Sequence, residues 1–308
     1  MAIISIVLPT FNGERFLRES VDSCLNQTFR ELELIVVIDG STDKSEYIMQ
    51  QYDDPRLVVI KTENRGQAEA MNRGFREASG KYWSWSSDDN VYMPDAFEVM
   101  WNYMQEHEEF AAVSTDGLII DEKSRRIGYQ EFTWQCFLYR ADVARTIPVH
   151  RSEARILEDI DFFLRLKHYG GPVGRISRPY IKYRVHKHMV SHTRIKERPL
   201  ISAKLNYEYI TSGISQGDME AMFMDRLSQC ALHRAYDTMD GIMAFAREKA
   251  VPFLNALERK NLFLRTPVGW LQNRIHIAVR SQLGKIRSRL KLLHYLTLSQ
   301  WSFHNSND

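Results

Sequence analysis

The chain has 308 residues, 44% of them hydrophobic, with 41 Lys and Arg against 39 Asp and Glu for a net charge of +2. That supports one large domain or two ordinary ones, each with a core, and excludes disorder over most of the length. No run of about 18 apolar residues is present, which excludes a bilayer-spanning helix; three widely spaced cysteines, Cys24, Cys136 and Cys230, exclude a disulfide framework or a cysteine metal site.

The first element in chain order is IISIVLP (3–9), an apolar, β-branched run of strand length ended by proline. Phe16, Val21, Cys24 and Leu25 then recur at helical spacing, and LELIVVID (32–39) is a second strand ended by Asp39-Gly40. Ser41 or Thr42 is expected to cap the next helix. LVVIK (57–61) is a third strand, GQAEAMNRGFREAS (66–79) a helix stopped by Gly80, and KYWSWSS (81–87) a fourth strand. Apolar strands alternating with helices predict a mostly parallel sheet covered on both faces, an α/β domain. Ligands of such sheets bind beyond the carboxyl ends of the strands. Polar residues gather at those ends: Pro9, Thr10 and Asn12 after the first strand, Asp39 after the second, Arg65 after the third, Asp88, Asp89 and Asn90 after the fourth.

Neither a G-x-G-x-x-G fingerprint nor a G-x-x-x-x-G-K-[ST] loop follows the first strand, which argues against a dinucleotide fold or a P-loop ATPase. Two adjacent carboxylates at a strand end suit a hard dication, Mg²⁺ in particular, that in turn grips phosphate oxygens.

Six stretches in order, SIVLPTFN, VVIDGSTDKS, NRGQAEAMNRGFREASGKYW, SSDDNVYMPDAF, EDIDFFLRL and YRVHKHMVS, resemble the family 2 glycosyltransferases of the Rossmann-like GT-A fold. These are inverting enzymes that take a sugar from a nucleoside diphosphate. The resemblance covers about residues 1–195. It implies a catalytic domain over 1–198, with a nucleotide-binding part to residue 110 and an acceptor part from 111. Beyond that the resemblance ends, and apolar residues at spacings of three and four predict a helical region over 199–308.

By that resemblance Pro9, Thr10 and Asn12 border the base and ribose, and Asp39 accepts the N3–H of uracil, which favours a UDP-sugar. Ile38 stands where the family has a further aspartate. Arg65 falls where relatives touch the base or the phosphates. Asp88 would bond the ribose and Asp89 would hold the metal, Mg²⁺ or Mn²⁺, since a dication stabilises charge growing on a departing diphosphate. Asp159 matches the family's general base, which takes the acceptor's proton. Glu158 and Trp134 are assigned to the acceptor, Trp134 as a ring that stacks on sugar. His186 is assigned to the metal or the phosphates.

The end of the chain is strongly basic. From Arg259 onward nine Lys or Arg face one acid, leaving 32 against 38 before it. Leu271, Ile275, Val279, Leu283, Ile286, Leu290 and Leu293 fall along one side, with Trp270 and Trp301 near the ends. A basic amphipathic helix of this kind reads as an anionic membrane-surface element; docking on the catalytic domain or on another copy, as in a homo-oligomer, is the alternative. With no charged-then-apolar leader at its start, the protein is expected in the cytoplasm, peripheral to the inner face of the membrane, acting on a glycan or lipid-linked glycan of cell-surface polysaccharide synthesis. A sugar nucleotidyltransferase and a non-catalytic scaffold are the alternatives. The sequence shows no nucleic-acid module, and nucleic acid is not expected as a partner.

Overall fold

The computed structural model describes residues 2–131, 135–147, 158–166, 170–187, 189, 227, 230, 236–248, 254–266 and 273. The chain divides into a compact unit over Met1–His186 and a second within Lys187–Arg287.

The first unit opens as strand and helix in alternation: β1 (Ile4–Thr10), α1 (Leu17–Leu25), β2 (Leu32–Asp39), α2 (Ser45–Met49), β3 (Leu57–Thr62), α3 (Gln67–Glu77) and β4 (Tyr82–Trp85). The four strands pair in parallel in the order β3-β2-β1-β4, as the alternation predicts. Both faces of β1 and β2 are covered, and side chains alternate between them with period two. Ile4, Ile6 and Leu8 pack with Leu34, Val36 and Ile38 against Leu17, Val21 and Cys24 of α1. Val7, Ile35 and Val37 face Ala70, Met71 and Phe75 of α3 on the other side.

The second half of the sheet was not legible as strands. After β5 (Val91–Tyr92) and α4 (Ala96–Glu106) come β6 (Ala112–Ile120), β7 (Arg126–Gln130), β8 (Phe137–Arg140), α5 (Ala141–Arg145), α6 (Glu158–Arg165) and β9 (Val173–Arg184). They extend the sheet as β8-β6-β9-β5, with β7 on β6, by a mixture of antiparallel pairs and one parallel pair, β6 with β9. Sequences such as AVSTDGLII carry small and polar residues that blur an apolar run, yet Ser114, Thr115 and Asp116 are all buried.

Two local expectations are corrected. Pro9 and Thr10 lie inside β1, opposite Val37 and Ile38, and not on the loop after it. The strand pairs with β4 only as far as Val7, so Pro9 has β2 alone as neighbour, where a missing N–H is tolerated. Ser41 and Thr42 do not cap α2; Asp43 accepts the Ser45 amide there at 3.0 Å.

In the second unit, α7 (Tyr236–Glu248) and α8 (Leu254–Arg265) form a helical hairpin that buries Met239, Ile242, Met243, Leu257 and Leu264. Arg247 pairs with Glu258 at one end, and Arg265 with Asp240 at the other. Among the described residues no helix is long and apolar enough to cross a membrane. The basic tail from Trp270 onward falls outside them, apart from Asn273.

Candidate active site

The carboxyl ends of β1, β2, β3 and β4 meet at one edge, and hydrogen bonds tie their loops together. Thr10 is buried, and its hydroxyl donates to Asp88 Oδ2 at 2.6 Å, joining the end of β1 to the loop after β4. Gly13 lies against the same pair: a Cβ there would stand 2.2 Å from Asp88 Oδ2 and 2.5 Å from Thr10 Oγ1, so only glycine lets the loop close. Asn12 adopts the left-handed conformation (φ 55°), its amide donating to Ser41 Oγ and its Oδ1 accepting from the Thr42 amide at 2.8 Å. Between Thr10 and Asn12, Phe11 stands 51% exposed.

Asp39 is almost fully buried, and its carboxylate collects three protein donors. Oδ1 accepts from Thr62 Oγ1 and the Arg65 amide, both at 3.0 Å, and Oδ2 from the Gly66 amide at 2.9 Å. It thereby caps the turn that opens α3, where Gly66 takes φ +90°, a conformation costly for any other residue. A carboxylate offers about four acceptor positions, so three protein donors leave one for a ligand. Arg65 contributes its backbone to Asp39 while its guanidinium lies exposed, 3.9 Å from Glu63. A cavity of about 200 Å³ runs from Asp39 past Thr62 and Arg65 along Glu69, Arg73 and Arg76 of α3.

The short strand β5 sets the other side. It follows the Asp88-Asp89-Asn90 loop directly and pairs antiparallel with Ile181 and Lys182 of β9, which brings the end of β9 back to that loop. His186 Nε2 comes to 3.0 Å from Asp89 Oδ2. Arg184, fully buried, holds the same loop from behind. Its Nε donates to the Asp89 carbonyl at 2.8 Å, Nη1 to the Asp121 carbonyl and Ser124 Oγ, and Nη2 to Glu19, while its own amide donates to Asn90 Oδ1. The guanidinium stacks on Phe16, 4.4 Å from the ring centroid.

At the start of α6, Asp161 is consumed by a buried pair with Arg165 at 2.8 Å, one helical turn on. Glu158 is largely buried. Asp159 reaches Gln135, whose Nε2 donates to Asp159 Oδ2 at 2.8 Å, and Ser87 Oγ donates to Gln135 Oε1 at 3.2 Å. Side-chain contacts thus run from the residue before Asp88 to Asp159. Trp134, His188, Ser191 and His192 lie outside the described residues.

Removal from water pushes the Asp88 carboxyl up to about 7, with the Asp89 carboxylate adding to the effect and the Thr10 hydroxyl and the His186 ring opposing it. Among the described residues no three His, Cys, Asp or Glu side chains converge as a ready-made metal cage. The sequence reading passed over Gly13, Phe11, Ser87 and the bridging role of Gln135. An aromatic between a strand end and Asn-Gly was the signal available for Phe11.

Residues 5–157 match the model of the family described as glycosyl transferase family 2. That stretch, just under half of the chain, belongs to the family. An uncharacterized glycosyltransferase of Rickettsia prowazekii is 37% identical over 126 residues, a stretch covering 41% of this chain and 39% of the relative. The chain thus spans well under half the length of that relative. Among solved structures, S. aureus TarS 1–349 in complex with UDP-GlcNAc superposes with a TM-score of 0.62 at 16% identity, over 90% of this chain and 92% of that one. The mannosyltransferase PcManGT from Pyrobaculum calidifontis, in complex with GDP-Man and Mn²⁺, gives 0.59 at 14% identity over 89% and 87%. At these identities the superpositions establish the shared fold, the α/β architecture of the GT-A glycosyltransferases.

Proposed function

We propose that this chain transfers a sugar from a UDP-sugar to a hydroxyl of a glycan or lipid-linked glycan, inverting the anomeric centre. The observation that carries the reading is the convergence, at one sheet edge, of Asp39, the Thr10–Asp88 pair, the Asp89–His186 pair and Asp159. The neighbours that bind UDP-GlcNAc and GDP-Man support a nucleotide-sugar donor.

Asp39 accepts the base N–H with its remaining acceptor position, and Phe11 covers the base with its exposed ring. Asp88, steadied by Thr10, accepts from the ribose. A carboxylate oxygen and an imidazole nitrogen 3.0 Å apart, next to a second carboxylate, fit a dication whose remaining ligands are diphosphate oxygens and water. Asp89 and His186 would hold it, Mg²⁺ or Mn²⁺, and it would neutralise charge growing on the departing diphosphate. On the acceptor side Asp159 takes the hydroxyl proton as that oxygen attacks the anomeric carbon, and UDP leaves from the opposite face. Glu158, and Trp134 in the stretch before Gln135, complete the acceptor side. The basic amphipathic tail supports an acceptor anchored in a membrane.

Calorimetric titration of UDP, GDP and dTDP, each with and without Mn²⁺, tests the donor half. Metal-dependent binding that favours UDP is the expected result; equal binding of all three would remove Asp39 as reader of the base. Turnover by Asp159→Asn at the wild-type rate would remove that residue as the base.

A further inference from the structure

We propose that Gln135 is the positioning residue that orients the carboxylate of Asp159, and that Ser87 holds Gln135 in the orientation this requires. The proposal rests on the reading of Asp159 as the base. The two ends of the amide are distinguished by chemistry. An ionised carboxylate only accepts, so the group 2.8 Å from Asp159 Oδ2 must be the NH₂ end. The amide oxygen then faces Ser87 Oγ, whose hydroxyl donates to it at 3.2 Å.

Both residues are also held through their backbones. The Ser87 carbonyl accepts from the buried Ser20 hydroxyl at 2.7 Å, which ties it to α1. The Gln135 carbonyl lies 3.2 Å from the Tyr92 hydroxyl, itself bonded to the Trp85 carbonyl at 2.6 Å. A side chain fixed at both ends holds its partner more tightly than a mobile one, and a general base works only when its oxygen points at the proton it takes. Ser87 directly precedes Asp88 and Asp89, so the loop that carries the sugar-donor carboxylates also sets the orientation of the acceptor's base. Bond formation and leaving-group departure then share one mount.

A purely structural staple predicts lost stability. Positioning predicts lost kcat at unchanged nucleotide affinity. The test compares wild type, Gln135→Met, Ser87→Ala, Ser87→Thr and Asp159→Asn, reading UDP release from UDP-glucose, UDP-galactose and UDP-GlcNAc, UDP affinity by calorimetry, Tm, and the side-chain amide signal of Gln135 by NMR. Gln135→Met is expected to lower kcat by about tenfold or more while Kd for UDP and Tm stay near wild type. Ser87→Ala is expected to show a smaller loss that Ser87→Thr, which keeps the hydroxyl, recovers. The Gln135 amide signal should move in both Ser87→Ala and Asp159→Asn. Wild-type kcat in Gln135→Met, together with abolished turnover in Asp159→Asn, overturns the positioning role alone. Undiminished turnover in Asp159→Asn overturns the base reading instead, and a wild type that releases UDP from none of the three sugars overturns both.

Discussion

The hydroxyl of Thr10 and the carboxylate of Asp88, 78 residues apart in sequence, meet at 2.6 Å and close the crevice between β1 and β4. Gly13 is the residue that permits it, because any Cβ would occupy the space of Asp88 Oδ2. Gly13→Ala must therefore push Asp88 off Thr10. UDP affinity is expected to fall by about tenfold, near 1.4 kcal/mol, and calorimetry on the two proteins reads it directly. Unchanged affinity would mean that Asp88 does not contact the nucleotide.

Asp39→Asn separates the two roles of that carboxylate. Asparagine presents one acceptor oxygen and an NH₂ that faces amides already donating, so at least one of the Thr62, Arg65 and Gly66 donors is left unmet. The cost expected in urea unfolding is about 1–3 kcal/mol. A variant as stable as wild type would show that the opening of α3 does not depend on this cap.

The thiols of Cys24 and Cys136 sit in the core, and burial pushes each up to about 12 from an ordinary value of 9.0. The folded chain keeps these protons after the unfolded chain has released them. Stability is therefore untouched below about pH 9 and falls as pH rises toward 12, by about 1.4 kcal/mol per pH unit for each thiol. Cys24→Ala, destabilised at pH 8 by its cavity, should recover about 2 kcal/mol relative to wild type by pH 10.5. A constant difference between the two proteins across that range would place the Cys24 thiol in contact with water.

The alternation of β1, β2, β3 and β4 with their helices was legible because those strands are buried on both faces and read as unbroken apolar runs. The antiparallel half was not. Asp116 interrupts β6 with a charge that the sequence gives no reason to bury, yet it is matched by Arg175, 59 residues on, at 2.8 Å and by Tyr129 of the adjacent strand β7 at 2.6 Å. The same distinction runs through the site. Asp88, Asp89 and Asp159 stand out as residue types, whereas Gln135 and Ser87 meet through a contact that spans 48 residues and leaves no periodicity to read.

Arg184 reaches the Asp89 loop through one main-chain carbonyl and the turn between β6 and β7 through another, which makes a prediction about which of its contacts matters. Arg184→Met keeps much of the length and apolar bulk but takes the guanidinium away from the Asp89 carbonyl, while the Asp121 carbonyl keeps the Ser124 amide at 3.0 Å. The expected cost is about 3 kcal/mol in denaturant unfolding. The ion pair with Glu19 contributes little of that, because the Glu19 side chain is 45% exposed and water screens it; Glu19→Gln is expected to cost under about 1 kcal/mol. The two variants should also differ in the site. Releasing the Asp89 carbonyl loosens the residue that faces His186, so Mn²⁺-dependent UDP binding should weaken in Arg184→Met and hold in Glu19→Gln. If Glu19→Gln costs as much as Arg184→Met, the clamp works through the ion pair to α1 and not through the loop carbonyls.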